Sequence, residues 1–489
     1  MIPSVKKLAA VVPVALLAGL AACGDDNGTD PKPVPQAGAA DITQDITSSR
    51  TLFSDTTYTL KGFIHVTNGA TLTIQPGTKI QGDFNTLGSS LFILRGAKIV
   101  ANGTATQPIV FTSSRPAGQR QPGDWGGLII VGNAVDNRAG DIEIEGSGTE
   151  PSGGSGRNYR VLYSGGTSDA DNSGQLSYVR VEFAGYAPST DNELNSFTFA
   201  AVGSGTKLSY LQAMAGLDDS FEFFGGAVDG DHLVSYETGD DHFDMSEGYH
   251  GRLQYLIAFQ STQLTQRSGA GKPSTDPQGI ENDGCNGTGC TNGFNQQPYT
   301  IPVIANFTLV GTGDPATSGT NGGIGMMLRR GTGGYYVNGI VARWSRAGVS
   351  LRDAETYARA GNTGTQDLAT VDLAVKNLLF VETPTIFQTG GSSVQNTLDL
   401  AGNSLVANST ATTASLFTAF PTSAGASTSA SAFDWTPPAG SAAASGGLTG
   451  FSGKLQTAAG AAVTPTSYVG AAQPGGAKWW SGWTIYAQN

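Results

Sequence analysis

The sequence reads as an all-β chain wound into one right-handed parallel β-helix. Three features carry that reading. Strands of three to five residues sit between Gly, Asn and Pro turns. A unit of 22–24 residues recurs, and no amphipathic helical period separates the strands.

The strands come first. Gly62-Phe63-Ile64-His65-Val66 is followed, after Asn68-Gly69, by Thr71-Leu72-Thr73-Ile74, then by Pro76-Gly77 and Lys79-Ile80. Leu91-Phe92-Ile93-Leu94, Lys98-Ile99-Val100 and Pro108-Ile109-Val110-Phe111-Thr112 continue the pattern. The repeat is sharpest in the middle of the chain. Asn195-Ser196-Phe197-Thr198-Phe199 resembles Asp219-Ser220-Phe221-Glu222-Phe223, which resembles Asp241-His242-Phe243-Asp244-Met245. The step is 24 residues from Phe197 to Phe221 and 22 from Phe221 to Phe243. Gly325-Met326-Met327-Leu328-Arg329-Arg330 recurs 23 residues later as Gly348-Val349-Ser350-Leu351-Arg352-Asp353. A leucine-rich repeat has this period but needs a fixed Leu and Asn ladder, which is absent. In a β-helix, successive coils stack about 4.8 Å apart. Phe197, Phe221 and Phe243 would then form one inward stack, with Phe199, Phe223 and Met245 beside it.

Thr71-Leu72-Thr73-Ile74-Gln75-Pro76-Gly77-Thr78, Gly96-Ala97-Lys98-Ile99, Gly123-Asp124-Trp125-Gly126-Gly127-Leu128 and the ending Trp479-Trp480-Ser481-Gly482-Trp483-Thr484 carry a family resemblance. They resemble a family of bacterial envelope lipoproteins similar in fold to pectate-lyase-type β-helices. Most members of that family lack an assigned activity. The resemblance covers nearly all of residues 50–489 and implies the fold, not a reaction.

The first residues read as an export signal. Lys6-Lys7 precede an apolar run, Leu8 to Leu20, that is shorter than the roughly 20 residues a bilayer requires. It ends in Leu20-Ala21-Ala22-Cys23, which resembles the lipobox of bacterial lipoproteins, where the cysteine is lipidated and becomes the new N-terminus. Residue Gly24 after that cysteine resembles the default outer-membrane address. The organisation expected is a signal peptide at 1–22, a lipidated tether at 23–40, and one β-helix domain at 41–489. That domain would carry a loop insertion at about 262–299 and a low-complexity Ala/Ser/Thr/Gly stretch at about 409–448, poorly ordered or loosely packed. The Trp-rich end is expected to close the open edge of the solenoid. The lipid would be the only membrane attachment, with the protein on the periplasmic or cell-surface face of the outer membrane.

Besides Cys23 there are two cysteines, Cys285 and Cys290. In an oxidising compartment they are expected to form a small loop disulfide. The net charge of −12, with 27 basic residues in 489, argues against nucleic acid, whose phosphates need a basic surface. It leaves uncharged glycans open, and anionic ones bound through a metal.

The most informative constellation is acidic. Asp218-Asp219-Ser220-Phe221-Glu222 lies one repeat before Asp240-Asp241-His242-Phe243-Asp244. With the phenylalanines inward, alternation sends Ser220 and Glu222 outward, beneath His242 and Asp244, and sets Asp218 under Asp240. Carboxylates about 4.8 Å apart repel by roughly 1 kcal/mol in water and several-fold more where shielded. Three offsets are open. A Ca²⁺ ion suits clustered carboxylates, and Asp218, Glu222, Asp240 and Asp244 are its candidate ligands. Shared protons would raise the carboxyl pKa values and support acid–base chemistry. Aspartates at coil corners would instead bond to turn N–H groups.

For catalysis the candidates are Asp218, Asp219, Asp240, Asp241, His250 and Arg252. Two carboxyl groups about 5 to 9 Å apart suit glycoside hydrolysis. Asp240-Asp241, the earlier Asp218-Asp219 and His250-Gly251 partly resemble polygalacturonase-type hydrolases. His250 follows Asp241 by less than one coil, and the Arg-x-Lys clamp of that family is absent nearby. A lyase would need a base near the calcium: Arg252, or less directly Arg329 and Arg330. Trp125, Tyr186, Tyr249 and Trp344 are candidate sugar-stacking rings. The function expected is binding of a glycan or envelope partner with calcium as a structural ion. The alternatives are a polysaccharide hydrolase or lyase, and a purely structural surface or adhesion protein.

Overall fold

In the computed structural model the structure describes residues 38–148, 160–189, 192–388, 395–421, 424–425 and 428–486. The expected signal peptide, Cys23 and most of the expected tether lie outside the described residues. Among the described residues, no helix is long and apolar enough to cross a membrane.

Fifteen strands join in one sheet and ten in a second. Among the described residues, every strand pairing within these two sheets but one is parallel; the exception sets Leu351 and Arg352 against Asn396 and Gln395. Parallel neighbours separated by one sequence repeat mean that the chain winds, each coil hydrogen-bonding to the last, which fits a right-handed β-helix.

The early coils carry three short strands each, as in Thr71–Ile74, Lys79–Gly82 and Ser90–Ile93. From residue 174 onward, two of the three faces fuse. Strand Gly174–Glu182 pairs with Ile99–Asn102 through its first half and with Ile109–Phe111 through its second. Strands on this face therefore reach eight or nine residues, longer than the three to five expected. The bend at mid-strand is made by one left-handed residue per coil. Tyr178, Tyr210, His232 and Tyr255 have φ between 50° and 65°, and Asn306, Asn338 and Asn377 follow in register. That conformation costs a non-glycine residue about 1 kcal/mol or more. Ring stacking offsets it in the first four, with centroids 4.4 Å apart for Tyr178–Tyr210 and Tyr210–His232, and 4.9 Å for His232–Tyr255. Asparagine tolerates the conformation in the last three.

Inside, the expected aromatic stack is present. Phe197, Phe221 and Phe243 pair in register on the second sheet, with centroids 5.0 and 5.3 Å apart. Phe199 lies 5.1 Å from Phe223, and Met245 continues that column. All are sealed from solvent.

Three expectations about the periphery need correction. The region 262–299 is not one hanging loop, because Gln278–Asp283 within it is a strand of the second sheet, paired with Phe243–Met245 and with Ile324–Arg329. Two loops flank that strand, and the second carries a disulfide between Cys285 and Cys290. The described part of 409–448 is packed, with Leu416, Phe417, Phe433 and Trp435 buried. Nor does the Trp-rich end cap the solenoid. It lies along the outer face of the long sheet, where Trp480 and Trp483 are buried in an apolar cluster with Met214, Tyr236 and Phe259. The sheet presents apolar side chains on that face, and the C-terminal segment covers them. Amide side chains fasten it: Gln212 bonds both to the N–H and to the carbonyl of Ile485, and Gln254 does the same with Thr464.

Phe221→Ala would remove the middle ring of the inner stack. The expected loss is about 3 to 5 kcal/mol of unfolding free energy in denaturant titration, with the β circular-dichroism signal kept.

Candidate functional site

The outward residues of the second sheet form a column by register: Thr198, Glu222, Asp244, Glu281, Met327 and Ser350. Three successive rungs are acidic. Like charges directly opposite on neighbouring strands are destabilising, so this column needs partners.

Both ends have them. At one end Asn195 Nδ2 donates to Glu222. At the other Arg329 donates to Glu281, and through Nε to Asp283 at 2.9 Å; Arg330 also pairs with Asp283. In the middle, Asp244 Oδ1 is sealed from solvent with no hydrogen-bond partner, and so is Asp240 Oδ1.

Beside this column runs a ladder of corner residues. Asn195 Oδ1 accepts from the Asp219 N–H at 3.1 Å, and Asp219 Oδ1 from the Asp241 N–H at 2.8 Å. Asp241 Oδ1 accepts from the Gln278 N–H, and Gln278 Oε1 from the Ile324 N–H at 2.9 Å. Each side chain thus ties its coil to the next. Asp219 and Asp241 are therefore held by turn N–H groups, the third of the offsets open in the sequence, through one oxygen each.

The acidic column opens on a cleft of about 770 Å³. Asp218, Asp240 and Asp244 keep a face toward solvent there, whereas Asp219 and Glu222 are buried. Glu145 and Glu193 line the same cleft. Gly271 to Thr275, from the loop before strand Gln278–Asp283, line it too. Lys272 is the only cation among the described lining residues.

Burial dominates the electrostatics. It pushes the carboxyls of Asp218, Asp219, Glu222, Asp241, Asp244 and Glu281 well above the usual range, and their mutual repulsion adds to it. Burial, then the Glu193 charge, brings Glu145 to about 8. Asp240 is raised to about 7 by burial, against a hydrogen bond from Ser274.

Three sets of carboxylate oxygens lie within 4.8 Å of one another: Asp218, Asp219 and Asp240; Asp219, Glu222 and Asp244; Asp241, Asp244 and Glu281. Two oxygens bound to one calcium at about 2.4 Å can be no farther apart than about 4.8 Å. An all-oxygen donor set suits a hard cation. The residues present fit calcium by both criteria.

The structure thus gathers the four candidate aspartates and the four candidate calcium ligands. It does not bring in His250 or Arg252. His250 Nδ1 lies 2.8 Å from the Gly248 carbonyl and Nε2 3.3 Å from Asp169. Arg252 is on the long sheet, 2.8 Å from Asp229. Less than a full coil separates them from Asp241, so they fall on another face. Arg329 is held by Glu281 of the acidic column and by Asp283, and Arg330 by Asp283.

Alternation also fails at the corner. Ser220 and His242 precede their strands and are buried, with Ser235 Oγ donating to Ser220 at 2.7 Å and lying 2.5 Å from His242 Nδ1. Burial pushes that imidazole down to about 3, so it is neutral. The rings expected to stack on sugars are core residues: Trp125 and Tyr249 are 0 % exposed, Trp344 4 % and Tyr186 5 %. Glu145, Glu193, Glu281 and Lys272 were not singled out by the sequence. The alternation of acid and Ile in Asp141-Ile142-Glu143-Ile144-Glu145 was the available signal for the first.

Residues 44–438 match the pectate-lyase-like β-helix domain. No curated protein matches the chain.

Arg329→Met would leave Glu281 and Asp283 without their shared cation next to Asp244. Breaking such a pair from one side is expected to lower the unfolding free energy by about 3 kcal/mol, measured by chemical denaturation.

Proposed function

Because the chain belongs to the pectate-lyase-like β-helix family, we propose that it is a lipid-anchored envelope protein that binds a glycan in the acidic cleft around bound calcium. The observation that carries this reading is the pair of sealed, unpartnered oxygens, Asp240 Oδ1 and Asp244 Oδ1, inside sets of carboxylates spaced for one ion. A buried carboxylate without a proton or a cation costs several kcal/mol, and a hard divalent ion removes that cost at several groups together.

Calcium would be held by Asp218 and Asp240, or by Glu222 and Asp244, with Asp219 belonging to either set. It would supply positive charge and open coordination positions on the cleft side, where Asp218, Asp240 and Asp244 meet solvent. The cleft volume falls in the range of small-molecule sites. No aromatic ring is among its described lining residues, so sugar hydroxyls or carboxylates reaching the ion would carry recognition, in place of ring stacking. Lys272, which lines the cleft, would meet an acidic sugar group.

Glycoside hydrolysis is the second reading. It is favoured by oxygens of Asp218 and Asp240 lying within 4.8 Å, near the roughly 5 Å of a retaining pair, with Asp240 at about 7. New reducing ends from a polysaccharide panel, lost in Asp240→Asn, would favour it over binding alone.

Calcium at about 100 times its Kd is expected to stabilise the chelated protein by about 2.7 kcal/mol, read as a rise in thermal midpoint that Asp244→Asn abolishes. An unchanged midpoint would remove calcium from the account. For the anchor, Cys23→Ser is expected to move the protein from the membrane fraction to the soluble fraction. Retention in the membrane would contradict lipidation at Cys23.

A further inference from the structure

The chain carries a net charge of −12, yet one corner of the solenoid is built from arginine. Strands Lys79–Gly82, Ile109–Ser113 and Gly174–Glu182 lie side by side in the long sheet and end at that corner. Register sets Gly82 beside Ser113, so Phe84 and Arg115, two residues beyond, meet. The Arg115 guanidinium carbon lies 4.6 Å from the centre of the Phe84 ring. That of Arg267, from the loop before strand Gln278–Asp283, lies 4.0 Å from the same centre. The two cations are therefore no farther apart than those two distances together. Arg120 joins them through Nε, which donates to the Arg115 carbonyl at 3.0 Å.

Two buried carboxylates serve this cluster. Asp124 lies 3.4 Å from Arg115 and Glu182 3.7 Å from Arg120, but Glu182 is also held by Arg180 at 2.9 Å. Asp83, the next acid, spends its oxygens within its own turn, on the Asn85 N–H and the Thr86 hydroxyl. Four guanidinium groups thus share two carboxylates. Burial makes the Arg267 cation costly, and repulsion from Arg115 adds to that cost against the pull of Asp124. Donors are in surplus too. The side chain of Arg115 bonds through Nη1 to Gln121 and Asp124, and that of Arg267 through Nη1 to the Asp124 carbonyl. Nε and Nη2 of both, and Nη2 of Arg120, have no acceptor among the described residues and are not sealed from solvent. Three guanidinium edges therefore meet water at one corner. They suit a phosphate monoester, with three free oxygens and nearly two charges, better than a carboxylate with two oxygens and one charge.

We propose that this corner binds a phosphate monoester, held by Arg115, Arg120 and Arg267 around Phe84. The site shares none of these residues with the acidic cleft and needs no calcium. Bound phosphate would join the loop that carries Arg267 and Lys272 to the coil corner that carries Arg115 and Arg120.

The test is titration calorimetry in chelator at about pH 7.5, where phosphate is mostly doubly charged. The probes are inorganic phosphate and glucose phosphorylated on its primary hydroxyl, with glucose and acetate as controls. One phosphate site per chain is expected, with no binding of glucose, and acetate weaker by at least about tenfold. Arg115→Met and Arg267→Met are each expected to weaken phosphate by more than about tenfold, through loss of charged hydrogen bonds. Arg115→Lys keeps the charge without the fork and is expected to fall between. Arg160→Met breaks an ion pair with Glu143 elsewhere and is expected to change nothing. Circular dichroism of each variant confirms that the β signal is kept. Tighter binding of the sugar phosphate would assign the site to phosphorylated sugars, and tighter binding of inorganic phosphate to the free ion. No phosphate binding, equal binding of acetate, or unaltered binding in both methionine variants would overturn the site. The calcium reading would stand in each case, since the titration contains no calcium.

Discussion

Parallel coils in register place each side chain directly over its counterpart one turn earlier, about 4.8 Å away. Inside the solenoid this stabilises the fold. Phe197, Phe221 and Phe243 meet as a stack, and burial of each ring adds to the same core. Outside, the same geometry sets Glu222 under Asp244 under Glu281. The backbone that makes the first arrangement favourable makes the second costly, and the coils cannot shift register to relieve one without losing the other. The acidic column is therefore paired at its ends by Asn195 and Arg329, and the gap between those partners is where the cleft opens.

The same constraint shapes the other faces. Where two faces fuse, one residue per coil must bend the strand, and register turns that requirement into a column of left-handed residues, first aromatic and then asparagine. The long sheet it creates has an apolar outer side, and the C-terminal segment lies along it with its indoles inward. Loops interrupt the winding on both sides of strand Gln278–Asp283. One of them supplies Lys272 and Ser274 to the acidic cleft. The solenoid thus positions the carboxylates, and an irregular loop lines the same cleft.

Much of this was legible in the sequence wherever the repeat was intact. The spacing of Phe197, Phe221 and Phe243 gave the inner stack and, through it, the adjacency of Glu222 and Asp244 and of Asp218 and Asp240. Legibility ended where the period broke. The loop between Phe243 and Ile280 hid the third acidic rung, Glu281, and the strand that carries it. Glu145 and Glu193 reach the cleft from segments without a repeat. His250 and Arg252 follow the aspartates closely in sequence, but a fraction of a coil carries them round a corner. Trp125, Tyr186, Tyr249 and Trp344 were placed outside because a single ring in a Gly-rich segment has no period to show which way it faces. The C-terminal segment packs through indole burial and amide hydrogen bonds, which leave no periodic trace.

On the proposed reading, calcium holds the stacked carboxylates together between Asn195 and Arg329. The most direct measurement is a diffraction experiment on crystals grown in calcium, at a wavelength where calcium scatters anomalously. Anomalous density is expected against Asp219 and Asp244, with carboxylate oxygens about 2.3 to 2.6 Å from it. Density for water alone, with the carboxyl groups bonded to one another through shared protons, would contradict it.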